Sequence, residues 1–218
     1  MTLFIGHALA CRRGERLIFR RLGFALEAGA ALVLSGPNGS GKSSLLRLMA
    51  GLLPPFSGTL SWAGEAIAED PAAHRARLHL IGHQDAVKPV LTVLEMVNFW
   101  AGLRGIDDGA AAAAVERLGL APLADAPCRL LSAGQKKRLS LARLLAGKAP
   151  LWLLDEPTTG LDAAATRNFE NILAEHREAG GIVVATTHIP LALADAQSLS
   201  LADFTPSRSE AAALVGDL

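Results

Sequence analysis

Gly36-Pro37-Asn38-Gly39-Ser40-Gly41-Lys42-Ser43 lies between an apolar run, Ala31-Leu32-Val33-Leu34, and a stretch of helical spacing, Ser44-Leu45-Leu46-Arg47-Leu48-Met49-Ala50. Strand, glycine-rich loop, helix is the context in which G-x-x-x-x-G-K-[ST] becomes a phosphate-binding loop rather than an ordinary turn. The glycines reach positive φ and keep side chains away, so successive backbone N–H groups can converge on one anion. The helix behind them adds unpaired N–H groups and the positive end of its dipole. Lys42 is then placed to neutralise β- and γ-phosphates, and the Ser43 hydroxyl to ligate Mg²⁺. The pattern therefore implies a nucleoside triphosphate held by Gly36, Pro37, Asn38, Gly39, Ser40, Gly41, Lys42, Ser43 and Ser44.

A second stretch belongs beside the first. Leu151-Trp152-Leu153-Leu154-Asp155-Glu156 is a continuous apolar run, as in a parallel strand buried on both faces, and it ends in two carboxylates. Ligands of open α/β sheets collect beyond the carboxyl ends of the strands. Asp155 is thus a candidate partner for Mg²⁺, and Glu156 a candidate base for a water aimed at the γ-phosphate. A carboxylate pair after a strand can instead cap the next helix, but Pro157 makes an immediate helix unfavourable.

Outward from these stretches the chain reads as α/β. Leu3-Phe4-Ile5, Leu22 to Leu26, Thr59 to Trp62 and Leu78 to Gly82 read as short strands, and Ile182 to Thr186 as another core strand. Between Leu78–Gly82 and Leu151 the pattern turns helical. Thr92 and Glu95 have capping-box spacing. Val93, Met96, Val97 and Trp100 follow at i, i+3, i+4, i+7 on one face. Ala110 to Leu118 and Ser132 to Ala146 read as two further helices, so about 88–147 is expected to be an all-helical insert. Phe169, Ile172, Leu173 and His176 form a helical stripe, and the tail from Phe204 is expected to be loosely attached.

Composition excludes several classes. The 218 residues carry 21 Lys plus Arg against 21 Asp plus Glu, a balance that argues against a nucleic-acid binder. Mean hydropathy is +0.31, yet no run approaches the roughly 20 apolar residues of a membrane span. Apolar surface kept for a partner and a simple excess of Ala and Leu explain that value equally well. Cys11 and Cys128 are far apart with no C-x-x-C, which fits a reducing compartment rather than a disulfide framework. The N-terminus lacks the charged start and apolar core of a signal peptide, so a cytoplasmic location is expected.

Leu131-Ser132-Ala133-Gly134-Gln135 discriminates further. Ser132 and Gln135 alone are explained by a capping box, and Lys136, Lys137 and Arg138 by a solvated first turn. Taken in series, however, Gly36 to Ser43, Gln84, Leu131 to Gln135, Leu151 to Glu156, Gly160-Leu161-Asp162 and His188 resemble an ABC transporter ATPase. The resemblance covers approximately residues 2–203. It implies a P-loop NTPase fold: a RecA-like core with antiparallel strands at one side and an inserted all-helical ABC subdomain. It implies one nucleotide-binding domain over 1–203 and a tail over 204–218. Gln84 resembles the glutamine that contacts Mg²⁺ and the attacking water, and His188 the switch histidine at the γ-phosphate. Asp162 resembles the aspartate that crosses a subunit interface. Ser132, Gly134 and Gln135 would meet ATP held by a second copy, which implies an ATP-dependent homodimer. His7, His74, His79, His83 and His176 read as ordinary structural or surface residues.

The family usually stacks an aromatic residue on adenine ahead of the P-loop. Here that segment is Cys11-Arg12-Arg13-Gly14-Glu15-Arg16, and Arg13 takes the expected position. A guanidinium plane can stack on a base. A narrower resemblance is to the haem-exporter ATPases of cytochrome c maturation, carried by Ile81-Gly82-His83-Gln84, Leu-Ser-Ala-Gly-Gln, Cys11-Arg12-Arg13 and Gly180 through Thr186-Thr187-His188-x-Pro190. It implies ATP and Mg²⁺ as ligands and a peripheral place on the cytoplasmic face of the inner membrane. It also implies a membrane-spanning partner (CcmB-like) with other cytochrome c maturation proteins. A soluble ABC ATPase acting on nucleic acid or ribosomes is the alternative, and an inactive regulatory cassette a third. Tandem cassettes or long arms do not fit this length, and intact Glu156 and His188 oppose inactivity. The partner's docking groove is expected between Gln84–Pro89 and the Thr92–Leu103 helix, where adjacent Phe99 and Trp100 point about 100° apart.

Overall fold

A computed structural model describes residues 2–106, 108–188 and 191–206. The chain begins with two long strands, β1 (Thr2–Arg13) and β2 (Arg16–Glu27), joined by a tight turn with Gly14 at φ 57°. Then come β3 (Ala31–Ser35), α1 (Lys42–Met49), β4 (Ser57–Trp62), β5 (Glu65–Ala66), α2 (Pro71–Ala76) and β6 (Leu78–Ile81). Three helices follow: α3 (Val93–Gly102), α4 (Asp108–Arg117) and α5 (Ala133–Leu145), with short 3-10 turns at Ala121–Leu123 and Cys128–Leu130. The chain returns through β7 (Leu151–Asp155), α6 (Ala163–Glu178), β8 (Ile182–Thr186) and β9 (Gln197–Ser200) to a last 3-10 turn at Leu201–Phe204. Most of the tail, 207–218, lies outside the described residues, as does Pro190.

Two sheets enclose α1. One is antiparallel in the order β2-β1-β4-β5; the other is parallel in the order β6-β7-β8-β3-β9. The parallel strands are apolar throughout because both of their faces are covered. In β7, Leu151 and Leu153 join Leu45, Leu48, Phe4 and Phe19 in the core around α1. Trp152 and Leu154 join Phe169, Ile172 and Leu139 in the core on the other face. In β8, Ile182 and Val184 divide from Val183 and Ala185 in the same way. The two-residue period, not hydrophobicity alone, decides which core each side chain enters.

The first half of β2 is not evident from the sequence. Leu17 and Phe19 are buried on one phase, but Leu22, Phe24 and Leu26 are buried on the other. The phase changes where Arg21 adopts φ 55°, near breaks in the pairing of β1 with β2. A bulge of this kind hides the alternation of a strand from any window that spans it.

Both capping boxes form. Thr92 Oγ1 accepts from Glu95 N–H while Thr92 N–H donates to the Glu95 carboxylate; Ser132 and Gln135 do the same at α5. Val93, Met96, Val97 and Trp100 are all buried. The helices are tied to β6, an edge strand whose outer carbonyls need donors. The Arg104 guanidinium donates to Ala76 O and Leu78 O, and Arg143 donates to Leu80 O. Three of the histidines are structural. His74 bonds Met49 O at 2.7 Å and His79 bonds Gly147 O at 2.6 Å, while His176 stacks on Trp152 with centroids 3.7 Å apart. Burial pushes His79 and His176 down to about 4.

Candidate nucleotide site

The loop after β3 turns on residues that only glycine suits. Gly36, Gly39 and Gly41 have φ of 139°, 80° and 104°. A Cβ on Gly41 would stand 2.6 Å from Ile18 Cγ2 and 3.1 Å from Phe19 Cδ1, so β2 packs directly against the loop. Gly41 is the N-cap of α1 and makes no side-chain cap, which leaves the first amides of the helix free for an anion. The Lys42 ammonium donates to Gly36 O at 2.7 Å and Pro37 O at 3.2 Å and is nearly buried. It is held inside the curl of the loop by its own backbone.

Opposite the loop, β7 delivers Asp155 and Glu156. Asp155 is buried, and Thr186 Oγ1 on the neighbouring strand donates to its Oδ1 at 2.7 Å. Glu156 takes φ 52°, a left-handed conformation that a residue with a side chain rarely adopts without constraint. The constraint is β8: Glu156 N–H donates to Thr186 O at 3.2 Å and Thr186 Oγ1 at 3.0 Å. His188 Nε2 lies 3.3 Å from Glu156 Oε1, and His188 N–H donates to Oε2 at 3.3 Å. Oε1 has no hydrogen-bond partner besides that approach, so one lobe of the carboxylate is left for a proton.

Loop and carboxylates close a cavity of about 540 Å³. Arg13, Asn38, Gly39, Gly41, Lys42, Ser43, Ser44, Asp155, Glu156 and His188 all line it. Ile18, His83 and Thr159 line it too; His83 lies within the stretch Ile81-Gly82-His83-Gln84, whereas no local motif points to Ile18 or Thr159. The sequence reading treats His83 as ordinary, yet it faces the cavity. Gln84 does not; it lines a small cleft with Trp100, Ser140 and Arg143. Ser132, Gly134 and Gln135 are also absent from the cavity wall, and Asp162 caps α6 by accepting from Ala165 N–H at 2.8 Å. The start of α5 abuts the turn before that cap: a Cβ on Gly134 would stand 2.9 Å from Gly160 O. Lys137 departs from the expectation of a solvated turn, because it is only 6 % exposed. On α5 it falls one turn after Ala133 and Gly134, on the side that packs.

A buried lysine in a glycine loop, sharing one cavity with the two acids that end a buried strand, makes this a P-loop nucleoside triphosphatase. Residues 19–159 match the family described as ABC transporter. The chain belongs to that family, and it is an ATP-binding, ATP-hydrolysing protein of it. It is 58 % identical to the cytochrome c biogenesis ATP-binding export protein CcmA of Paramagnetospirillum magneticum, with 93 % of this chain and 95 % of the relative covered. It is 55 % identical to the protein of the same name from Rhodospirillum rubrum, covering 98 % and 91 %. Among solved structures, a putative ABC transporter ATP-binding protein from Pyrococcus furiosus superposes with a TM-score of 0.81 at 21 % identity. That superposition covers 93 % of this chain and 99 % of the other. A second structure, an ATP-binding subunit of an ABC transporter, gives 0.78 at 23 %, covering 85 % and 80 %. At those identities the two structures support the fold.

Proposed function

We propose that this chain is the ATPase subunit of an exporter that serves cytochrome c maturation, with haem-related cargo handled by a separate membrane-spanning subunit. The observation that carries the proposal is the cavity in which Lys42, Ser43, Asp155, Glu156 and His188 converge, on a chain so similar to the two CcmA proteins. Lys42 and the α1 amides hold the phosphates. Glu156 takes the proton of the attacking water, and His188 steadies that carboxylate and the γ-phosphate. The Ser43 hydroxyl and the Asp155 carboxylate are the hard oxygen donors that Mg²⁺ takes, and both line the cavity, so the residues fit that ion. Mg²⁺ would supply charge neutralisation at the β- and γ-phosphates. Gln84 would join it only after leaving its cleft beside Trp100 and Arg143. Residues 1–203 act as one nucleotide-binding domain in this reading, with the helices of about 88–147 as its insert.

Arg13 gives the cavity its base-stacking surface. A solvated guanidinium stack contributes roughly 0.5–1 kcal/mol. Measured ATP and GTP affinities are therefore expected within about tenfold of each other, and Arg13→Ala is expected to weaken binding by about fivefold at most. A strong ATP preference that survives Arg13→Ala would assign the base to another group.

Two copies close around two ATP molecules, with Ser132, Gly134, Gln135 and Asp162 of each facing the nucleotide or the partner of the other. Among the described residues no helix is long and apolar enough to cross a membrane. In this reading, attachment at the inner membrane's cytoplasmic face runs through the membrane subunit. The docking surface is the outer face of α3. Trp100 turns inward beneath Arg143, whereas Phe99 is 40 % exposed and Leu103, one turn on, is 71 % exposed. Val90 is 77 % exposed nearby in sequence, and the Lys88 ammonium sits 4.5 Å from the Phe99 ring centroid. Aromatic anchors of this kind dominate interfaces. Co-purification tests the proposal. The native chain should bring down a membrane-spanning subunit, and Phe99→Ala should lose it while ATP affinity stays within about threefold, a change under 1 kcal/mol. Undiminished recovery with Phe99→Ala would remove that face from the interface, and no membrane subunit with the native chain would overturn the proposal.

A further inference from the structure

The nucleotide cavity has a direction. Its phosphate loop leaves β3, and in the parallel sheet β8, β7 and β6 lie successively farther from that strand. The cavity residues beyond their ends are His188 after β8, Asp155 and Glu156 at β7, and His83 after β6. Arg13 and Ile18 come from the other sheet, on the β1–β2 hairpin, and Ile18 packs on the loop at Gly41. A nucleotide with its base against Arg13 and its phosphates on the loop therefore extends its last phosphate toward β7 and β6. His83 stands at that far end. It is exposed, and among the described residues its imidazole makes no hydrogen bond or ion pair.

Alternation along β6 does not explain its place. Leu78 lies in the core around α1 and Leu80 packs against it, so continued alternation would turn Gln84 to the nucleotide and His83 away. The chain instead bends at His83 and Gln84, which brings His83 into the cavity and leaves Gln84 in the cleft with Trp100 and Arg143. Ile81 pairs with Leu154, and that register continued by two residues puts His83 level with Glu156. We propose that His83 binds the third phosphate of the nucleotide, its imidazole donating an N–H to a γ-phosphate oxygen, so that the site separates triphosphate from diphosphate. Ionised Asp155 and Glu156 offer a phosphate no donor, and His188 is engaged with Glu156. His83 supplies the uncommitted imidazole N–H at this end. A diphosphate stops one phosphate short of it, so the contact belongs to the triphosphate alone.

The inference rests on the reading of this cavity as the nucleotide site. Equilibrium titration of the full chain with β,γ-imido-ATP, which is not hydrolysed, and with ADP tests it, both with Mg²⁺ present. His83→Ala should weaken the triphosphate analogue about tenfold, which is 1.4 kcal/mol, in line with a hydrogen bond to a charged group. ADP affinity should stay within about twofold. His83→Gln keeps an N–H donor and should stay within about threefold of native for both ligands. Native affinity for the analogue in His83→Ala overturns the inference. So does an equal loss for the analogue and ADP, which would place the ring away from the third phosphate. Equal loss of the analogue in His83→Ala and His83→Gln overturns it too, because the donor would then not matter. Where His83→Ala fails to fold, His83→Phe, which keeps a ring and removes both nitrogens, is read in its place. Lys42→Ala tells the two readings apart. Native affinity for the analogue there removes the cavity as the nucleotide site, whereas its loss there beside native binding in His83→Ala refutes this inference alone.

Discussion

Glu156→Gln is expected to bind ATP with native affinity and to lose hydrolysis by about 10²–10⁴, the usual contribution of a general base. The amide keeps the shape of the side chain and its place beside His188, 3.3 Å away, but cannot take a proton from water. Its backbone is held independently, by two hydrogen bonds to Thr186, so the strained φ of 52° survives the change. Binding without turnover should then trap the closed pair, and light scattering in ATP should register a dimer that does not return to monomer. Hydrolysis by Glu156→Gln at the native rate would remove the residue from the mechanism.

Gly41→Ala is expected to weaken ATP binding by about thirtyfold or more, about 2 kcal/mol. A left-handed backbone costs a non-glycine residue about 1–2 kcal/mol, and forcing a methyl group into a packed site costs about 1–3 kcal/mol more. That methyl would lie 2.6 Å from Ile18 Cγ2, against a strand that is itself paired along its length with β1. The loop relieves the clash by moving off β2 in the free chain, and nucleotide must drive it back, so the cost falls on affinity. Gly39→Ala is the control. Its φ is 80° but nothing lies within 4 Å of the added carbon, so only backbone strain of about 1 kcal/mol remains, roughly fivefold in affinity. Titration of both variants with ATP, alongside their thermal midpoints, checks the order. Equal affinities for the two would mean that β2 does not buttress the loop.

The two core strands and the two capping boxes were legible because each is a local pattern. Burial on both faces makes Leu151 to Leu154 apolar without a break, and a cap needs only residues three apart. β2 was half hidden because a positive φ at Arg21 resets its alternation. The edge strand β9 was not singled out; only Leu199 of its four residues is buried, so its composition carries little trace of the sheet that it joins. On α3, the adjacency of Phe99 and Trp100 meant that both could be buried only if the helix were covered over a wide arc. Only packing determined that Trp100 went inward beneath Arg143 and Phe99 stayed at the surface.

Of the site itself, the sequence determined the parts whose chemistry is built from contiguous backbone. Glycines that free amides, a lysine one residue past the last of them, and two acids at the end of a buried strand must be neighbours to work. The tertiary structure alone decided what surrounds them. Thr186 reaches Asp155 across 31 residues because β7 and β8 pair in parallel with Asp155 opposite Thr186, and a shift of one residue would turn both side chains to the other face. The same register brings His188 to Glu156. His83 rather than Gln84 faces the cavity, and Lys137 rather than its neighbour Lys136 is buried, because alternate positions on one segment meet different neighbours. Those neighbours are distant in the chain, and the contacts that select among them are set by packing between elements, which no local pattern records.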